Sequence, residues 1–310
     1  MPSYLELYSS GELTERVKKL WARLESCDLC PHRCAVNRLK GQKGFCKVAL
    51  GPMISSYGPH FGEEDPLVGV GGSGTIFFTY CNMACVYCQN WEISHLGEGE
   101  IVSSAQLARI MLALQARGCH NINLVTPTHQ VPFIAEALKL AIEQGLCIPV
   151  VYNCGGYESV ETLRLLEGLV DIYMPDFKYW DEKVALKLSK VPNYPAIARE
   201  ALKEMHRQVG DLVLDENGIA QKGLIVRHLV LPGGLAGTRH ILEWVAKEIS
   251  PYTYVNIMDQ YHPCGRAWEY PPLDRPLTPE EYSQALEAAK KAGLKRLDQR
   301  RPRRILWLDF

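Results

Sequence analysis

Over the first twenty-five residues Leu13, Val17, Leu20, Trp21 and Leu24 recur at helical intervals, and Ser9 and Glu12 stand at capping-box spacing, so a short helix is predicted. From Cys27 to about Asp65 the apolar pattern lapses into Gly, Pro and Cys without a sustained period. Such a stretch buries little apolar surface, and something other than a core must hold it together. From residue 74 strand and helix signals alternate. TIFFTY (75–80), NINLVT (121–126), IPVVYN (148–153), VDIYMP (170–175), LIVRHLVL (224–231) and YVNIMDQ (254–260) read as strands. Helices are predicted over 104–118, 132–144, 159–167, 181–209 and 238–249, with a hairpin over 211–222 turning at Glu216-Asn217-Gly218. Six short β-branched runs separated by helices imply an α/β fold of parallel β/α units. A partial or full barrel and an open doubly wound sheet both satisfy this pattern.

Charge narrows the function. Lys and Arg number 34 against 35 Asp and Glu, a net charge of -1, which removes the global electrostatic case for nucleic-acid or membrane-surface binding. The 47% apolar and 22% charged content is that of a globular chain. No apolar run approaches the length of a membrane span, and MPSYLELYSSGELTERVKKL lacks a basic-then-apolar signal layout. A cytoplasmic protein is expected, with no membrane partner.

There are 11 cysteines. In a reducing compartment they favour metal or redox work over disulfides. Cys81, Cys85 and Cys88 form a C-x3-C-x2-C loop directly after a predicted strand. Three thiolates on one tight loop can hold three irons of a cubane cluster and leave the fourth open to a chelating substrate. A zinc site lacking its fourth ligand, or a ferredoxin-like cluster completed from elsewhere, are the alternatives. Cys27, Cys30, Cys34 and Cys46 supply four thiolates in the segment without a core, the number for a closed site. Tetrahedral zinc and an auxiliary [4Fe-4S] cluster fit them equally. Cys119 and Cys147 are expected in the core, and Cys154 and Cys264 near the ends of strands.

The CNMACVYC loop, with aromatic Tyr87 before its last cysteine, resembles the signature of the radical S-adenosylmethionine (SAM) superfamily. The surrounding GSGTIFF, the Met-Pro-Asp-Phe-Lys stretch at 174–178 and QYHPCG are similar to the pyruvate formate-lyase activating enzyme-like group. The resemblance implies a partial parallel β/α barrel over 71–265, a Cys-rich metal-binding segment over 1–70 and a C-terminal extension over 266–310. It implies a [4Fe-4S] cluster on Cys81, Cys85 and Cys88, whose open iron takes the amino and carboxylate groups of SAM. Reductive cleavage then yields a 5′-deoxyadenosyl radical that abstracts hydrogen, with flavodoxin or ferredoxin as electron donor. Tyr87 matches the aromatic beside adenine, and Asn153, Gly155 and Gly156 match the SAM-binding turn. Arg227 matches a residue reaching the SAM carboxylate or ribose. Asp176, Lys178 and His262 match catalytic positions.

Two departures stand out. Thr126-Pro127-Thr128-His129 replaces the Gly-Gly-Glu motif that receives the SAM amino group, which leaves the hydroxyls of Thr126 and Thr128 as its acceptors. Tyr152 stands where activating enzymes tend to carry Asp. The implied target is a glycine of a partner protein, with a peptide or RNA as rivals; a non-catalytic iron–sulfur or zinc regulator is the reading outside enzymology. Gly69-x-Gly71-x-x-Gly74 fits the dinucleotide fingerprint in letters only, since a strand follows it where a helix is required. It reads as a turn into the first barrel strand. The basic run Lys295–Arg304 could dock an acidic partner or RNA, or lie in solvent.

Overall fold

The computed structural model describes residues 1–298. In chain order the helices are α1 (Tyr4–Ser9), α2 (Glu12–Ala22), α3 (Asp65–Val68), α4 (Ser104–Ala116), α5 (Val131–Ile142), α6 (Val160–Leu166), α7 (Glu182–Ser189), α8 (Tyr194–Val209), α9 (Thr238–Trp244) and α10 (Pro279–Ala292). The strands are β1 (Met53–His60), β2 (Ser73–Phe78), β3 (Glu100–Ile101), β4 (Ile122–Val125), β5 (Val150–Cys154), β6 (Ile172–Pro175), β7 (Val213–Leu214), β8 (Ala220–Leu229), β9 (Tyr254–Met258) and β10 (Arg296–Leu297).

The six expected strands all form and lie side by side in chain order as β2-β4-β5-β6-β8-β9, each parallel to the next. A doubly wound sheet reverses direction part-way; this one does not, so the architecture is a partial β/α barrel. The strand faces alternate. Val151, Ile172, Met174 and Ile225 pack with Leu67 on one side. Tyr152, Tyr173, Leu224 and Val226 join the helices in the main core on the other. All six strands therefore end at one rim.

Segments before and after the six barrel strands join this sheet. MISSYGPH, without a visible period in the sequence, forms β1 antiparallel to β2, in register Ile76 to Tyr57. β10 adds parallel to β9, and α10 lies against α9. The predicted N-terminal helix is two helices. Gly11 at φ 79 starts the second, so the Ser9–Glu12 box does not form and the Ser9 hydroxyl donates to Glu6 O instead. Cys119 is buried as expected, whereas Cys147 is exposed, because it lies in the turn between α5 and β5. At the Gly69–Gly74 run, a Cβ on Gly71 would come 1.9 Å from Gly118 O, so close backbone packing dictates this glycine. The basic tail beyond residue 298 lies outside the described residues.

Candidate functional site

The rim residues Phe77, Val125, Asn153, Asp176, Arg227 and Met258 open on a basin. It comprises two adjoining cavities of about 330 and 150 Å³ that share Cys85, Cys88, Asn153, Asp176, Lys178 and Arg227. Together they reach the usual size of a cofactor pocket.

Cys81, Cys85 and Cys88 all border the smaller cavity. Their loop is strapped to the end of α7, with Ala84 N–H donating to Ser189 O at 2.9 Å and Val86 N–H to Leu188 O at 2.8 Å. Each sulfur receives one donor. Met83 N–H reaches Cys81 Sγ at 3.3 Å, the Ser189 hydroxyl Cys85 at 3.0 Å and the Ser94 hydroxyl Cys88 at 3.1 Å. Because the Ser189 hydroxyl spends its one proton on Cys85, the bonds run in one sense: Tyr87 OH to Tyr179 OH, Tyr179 OH to Ser189 Oγ, then to Cys85. Burial pushes the Cys81 and Cys85 thiols up, while the Lys178 ammonium pulls the other way, so thiolates here call for a bound cation. Among the described residues no three Cys, His, Asp or Glu side chains are gathered closely enough for a single metal ion. A cubane assigns one sulfur per iron and wants a wider triangle. The three thiol donors and the cavity they share fit such a cluster.

The same cavities carry a charged group. Asp176 accepts from Lys178 Nζ at 2.6 Å and Arg227 Nε at 2.9 Å. Arg227 Nη2 donates to Asn153 Oδ1 at 2.9 Å, and its Nη1 stands 3.6 Å from Glu63. Burial opposes the Asp176 charge, but Arg227 and Lys178 outweigh it and hold its pKa below the usual carboxylate range. Burial likewise opposes the Lys178 ammonium, and Asp176 with Cys85 overrides it upward. Arg227 lies near the C-terminal end of β8, since that strand begins before the expected 224, at Ala220 beside the β7 hairpin. The turns after β5 and β6 are tied by Tyr194, whose hydroxyl accepts from Lys178 N–H and sits 2.9 Å from Gly155 O and 3.0 Å from Asp176 O. Gly155 leaves a cradle, since a Cβ would come 2.4 Å from Met83 Sδ; Gly156 has φ +77 and no room beside Asp176 O.

Other expected residues lie elsewhere. Thr126 borders the smaller cavity, but Thr128 is turned away and donates to Glu158 Oε1 at 2.7 Å. Tyr152 donates to Glu158 Oε2 at 3.0 Å. Both unusual residues thus serve a buried carboxylate, whose pKa burial raises to about 7. His262 is exposed outside the basin, 3.1 Å from Gln260 O. Glu63, Ser94, Tyr179, Ser189 and Tyr194 line the basin or bond to its lining, and they carried no sequence signal. Cys27, Cys30, Cys34 and Cys46 border one separate cavity.

A family model, that of the radical SAM superfamily, matches residues 75–216. The chain belongs to this superfamily. An uncharacterized protein of Methanocaldococcus jannaschii is 36% identical over 280 residues, which cover 87% of this chain and 76% of the relative. A second from the same organism is 23% identical over 163 residues, 45% of this chain and 46% of the relative. Among solved structures, Streptococcus suis SuiB bound to its precursor peptide SuiA is similar with a TM-score of 0.48 and 12% identity, over 72% of this chain and 47% of that one. The chain thus spans about half the length of the SuiB chain it matches. Membership brings SAM-dependent radical chemistry, with a [4Fe-4S] cluster and SAM as its cofactors. No helix among the described residues is long and apolar enough to cross a membrane.

Proposed function

We propose that the protein is a radical SAM enzyme whose Cys81, Cys85 and Cys88 hold the [4Fe-4S] cluster and whose basin receives SAM. The observation that carries this reading is the shared cavity, lined by three hydrogen-bonded sulfurs together with Asp176, Lys178, Arg227 and Asn153. When loaded, the cluster supplies one electron to the SAM sulfonium, giving methionine and a 5′-deoxyadenosyl radical that abstracts hydrogen.

The chain's own residues orient and shield. Arg227 and Lys178 give the cavity its cations, and Asp176 keeps both aimed. The Lys178 ammonium, which acts electrostatically on Cys85, offsets thiolate charge. Gly155 lets a ligand approach the backbone, and Thr126 offers a hydroxyl at the same cavity. Buried Tyr87 walls the larger cavity and excludes water from the cysteine loop. His262, being exposed, is assigned no part in the hydrogen transfer.

The test is anaerobic reconstitution with iron and sulfide, reduction by dithionite in the presence of SAM, and chromatography for 5′-deoxyadenosine. Wild type should form it, and Cys85→Ala should not. A wild-type protein carrying four irons that leaves SAM intact would reject the reading. The finer proposal is that the hydrogen comes from a glycine of a cytoplasmic partner protein, with a flavodoxin- or ferredoxin-type donor. Coexpression with candidate partners should then give a glycyl doublet in the electron paramagnetic resonance spectrum; its absence alongside brisk SAM cleavage removes that target.

A further inference from the structure

The four N-terminal cysteines border a closed cavity of about 10 Å³, room for one water-sized sphere, which Arg38 and His129 also line. The chain is folded tightly around it. Cys27 N–H donates to Val36 O and Ala35 N–H to Cys27 O, both at 2.9 Å. Phe45 N–H donates to Cys34 Sγ at 3.4 Å, and a Cβ on Gly44 would crowd that sulfur at 2.8 Å. Backbone donors on thiolate sulfurs are what a metal–thiolate centre requires of its surroundings.

Two buried polar atoms are left over at this wall. Arg38 is 1% exposed. Its Nε donates to Ala49 O at 3.0 Å and its Nη1 to His129 O at 2.9 Å, while Nη2 has no partner. No carboxylate among the described residues pairs with this permanent cation, which is costly in a buried place unless an anion faces it. His129 Nε2–H donates to Thr79 O at 2.9 Å, and its Nδ1 is buried without a partner.

We propose that this cavity seats a second [4Fe-4S] cluster, ligated by Cys27, Cys30, Cys34 and Cys46, with Arg38 Nη2 as the donor and counter-charge to its sulfurs. A tetrahedral zinc would draw four sulfurs to about 2.3 Å from one point, and sulfurs drawn so close leave no space for a water-sized sphere among them. Here such a sphere fits among them. A cubane spreads its thiolates over four irons, the wider arrangement, and the thiolates leave it net negative. The site also braces the radical loop. His129 holds Thr79 O, and His32 Nε2–H donates to Asn82 O at 2.9 Å, so both flanks of Tyr80–Cys81 are fastened to it.

The experiment uses the full chain carrying Cys81→Ala, Cys85→Ala and Cys88→Ala, reconstituted anaerobically with iron and sulfide, its folding checked by circular dichroism. It should retain about four irons and four sulfides per chain and give a reduced-cluster resonance signal. Adding Cys30→Ala and Cys46→Ala should abolish both. Wild type, which needs no substitution, should hold about eight irons and no zinc. About one zinc per chain with iron only at the radical loop overturns the proposal, as does iron content indifferent to the N-terminal cysteines. In the triple variant, Arg38→Gln should shift the remaining cluster's potential to more negative values and Arg38→Lys should restore it in part; equal potentials in all three would strike Arg38 from the site.

Discussion

Asp176 is one carboxylate shared by two largely buried cations, and such sharing makes it structural as well as functional. Replacing it by Asn takes from Lys178 the carboxylate it pairs with and leaves Arg227 with Glu63. A loss of about 3–5 kcal/mol in urea-monitored stability is expected, recovered in part by adding Lys178→Met. A second prediction concerns pH. His228 is fully buried, donates Nδ1–H to Phe177 O at 2.7 Å and accepts from Thr238 at 2.9 Å. Burial lowers its pKa from 6.5 to about 4. The unfolded chain therefore takes up this proton first, and the residue's contribution falls as pH drops from 6.5 to 4, by about 3 kcal/mol. In His228→Asn that part of the pH slope should vanish; parallel wild-type and variant curves would refute the assignment. Legibility at this scale followed locality. The three radical-loop cysteines were legible because their spacing alone places them on one turn. Glu63, Ser94 and Ser189 were not, since a polar residue acquires a partner only when the chain folds. Thr128 was misread for the same reason: its hydroxyl is taken by Glu158, which lies thirty residues on.

Turns, more than strands, determine what the elements deliver to the basin. β5 and β6 end in Cys154 and Pro175, and the chain then folds back so closely that Gly156 faces Asp176 O. Gly156→Ala meets both a φ of +77 and a contact of 2.4 Å, so a destabilisation above about 1 kcal/mol is expected, with weaker SAM retention by equilibrium dialysis. Ser189 closes α7 and donates to Cys85. Ser189→Ala keeps the helix but removes a donor from one cluster sulfur, and the potential of the radical-loop cluster should fall while iron content holds. The barrel strands were legible because strands buried on both faces are continuous β-branched runs. β1 was not, because its Ser, Gly and Pro sit on a partly exposed strand at the sheet's antiparallel side, where neither apolar alternation nor a β-branched run is demanded.

Across the whole molecule, the N-terminal segment is a clamp on the barrel. The Ser3 backbone and hydroxyl both donate to Asp171, the Tyr4 hydroxyl donates to Ile148 O at 2.8 Å, and Arg16 reaches the carbonyls of Arg164, Leu165 and Glu167. Tyr4, Leu13, Leu20 and Leu24 are fully buried in the main core. Further on, β1 supplies the antiparallel partner of β2, the strand that leads into the cysteine loop. A chain starting at residue 71 would thus keep all six parallel strands and the three radical-loop cysteines, yet bare the outer faces of α5 and α6 and one whole edge of β2. The apolar faces of α5 and α6 that covered Tyr4, Leu13, Leu20 and Leu24 would then meet water, and at about 1.5–3 kcal/mol for the face matching each side chain the loss rivals the net stability of an ordinary domain. The truncated chain should therefore be recovered unfolded or aggregated, with no cooperative thermal transition by calorimetry. A soluble 71–298 fragment that melts cooperatively and still binds iron at Cys81, Cys85 and Cys88 would show the barrel to be independent of its clamp.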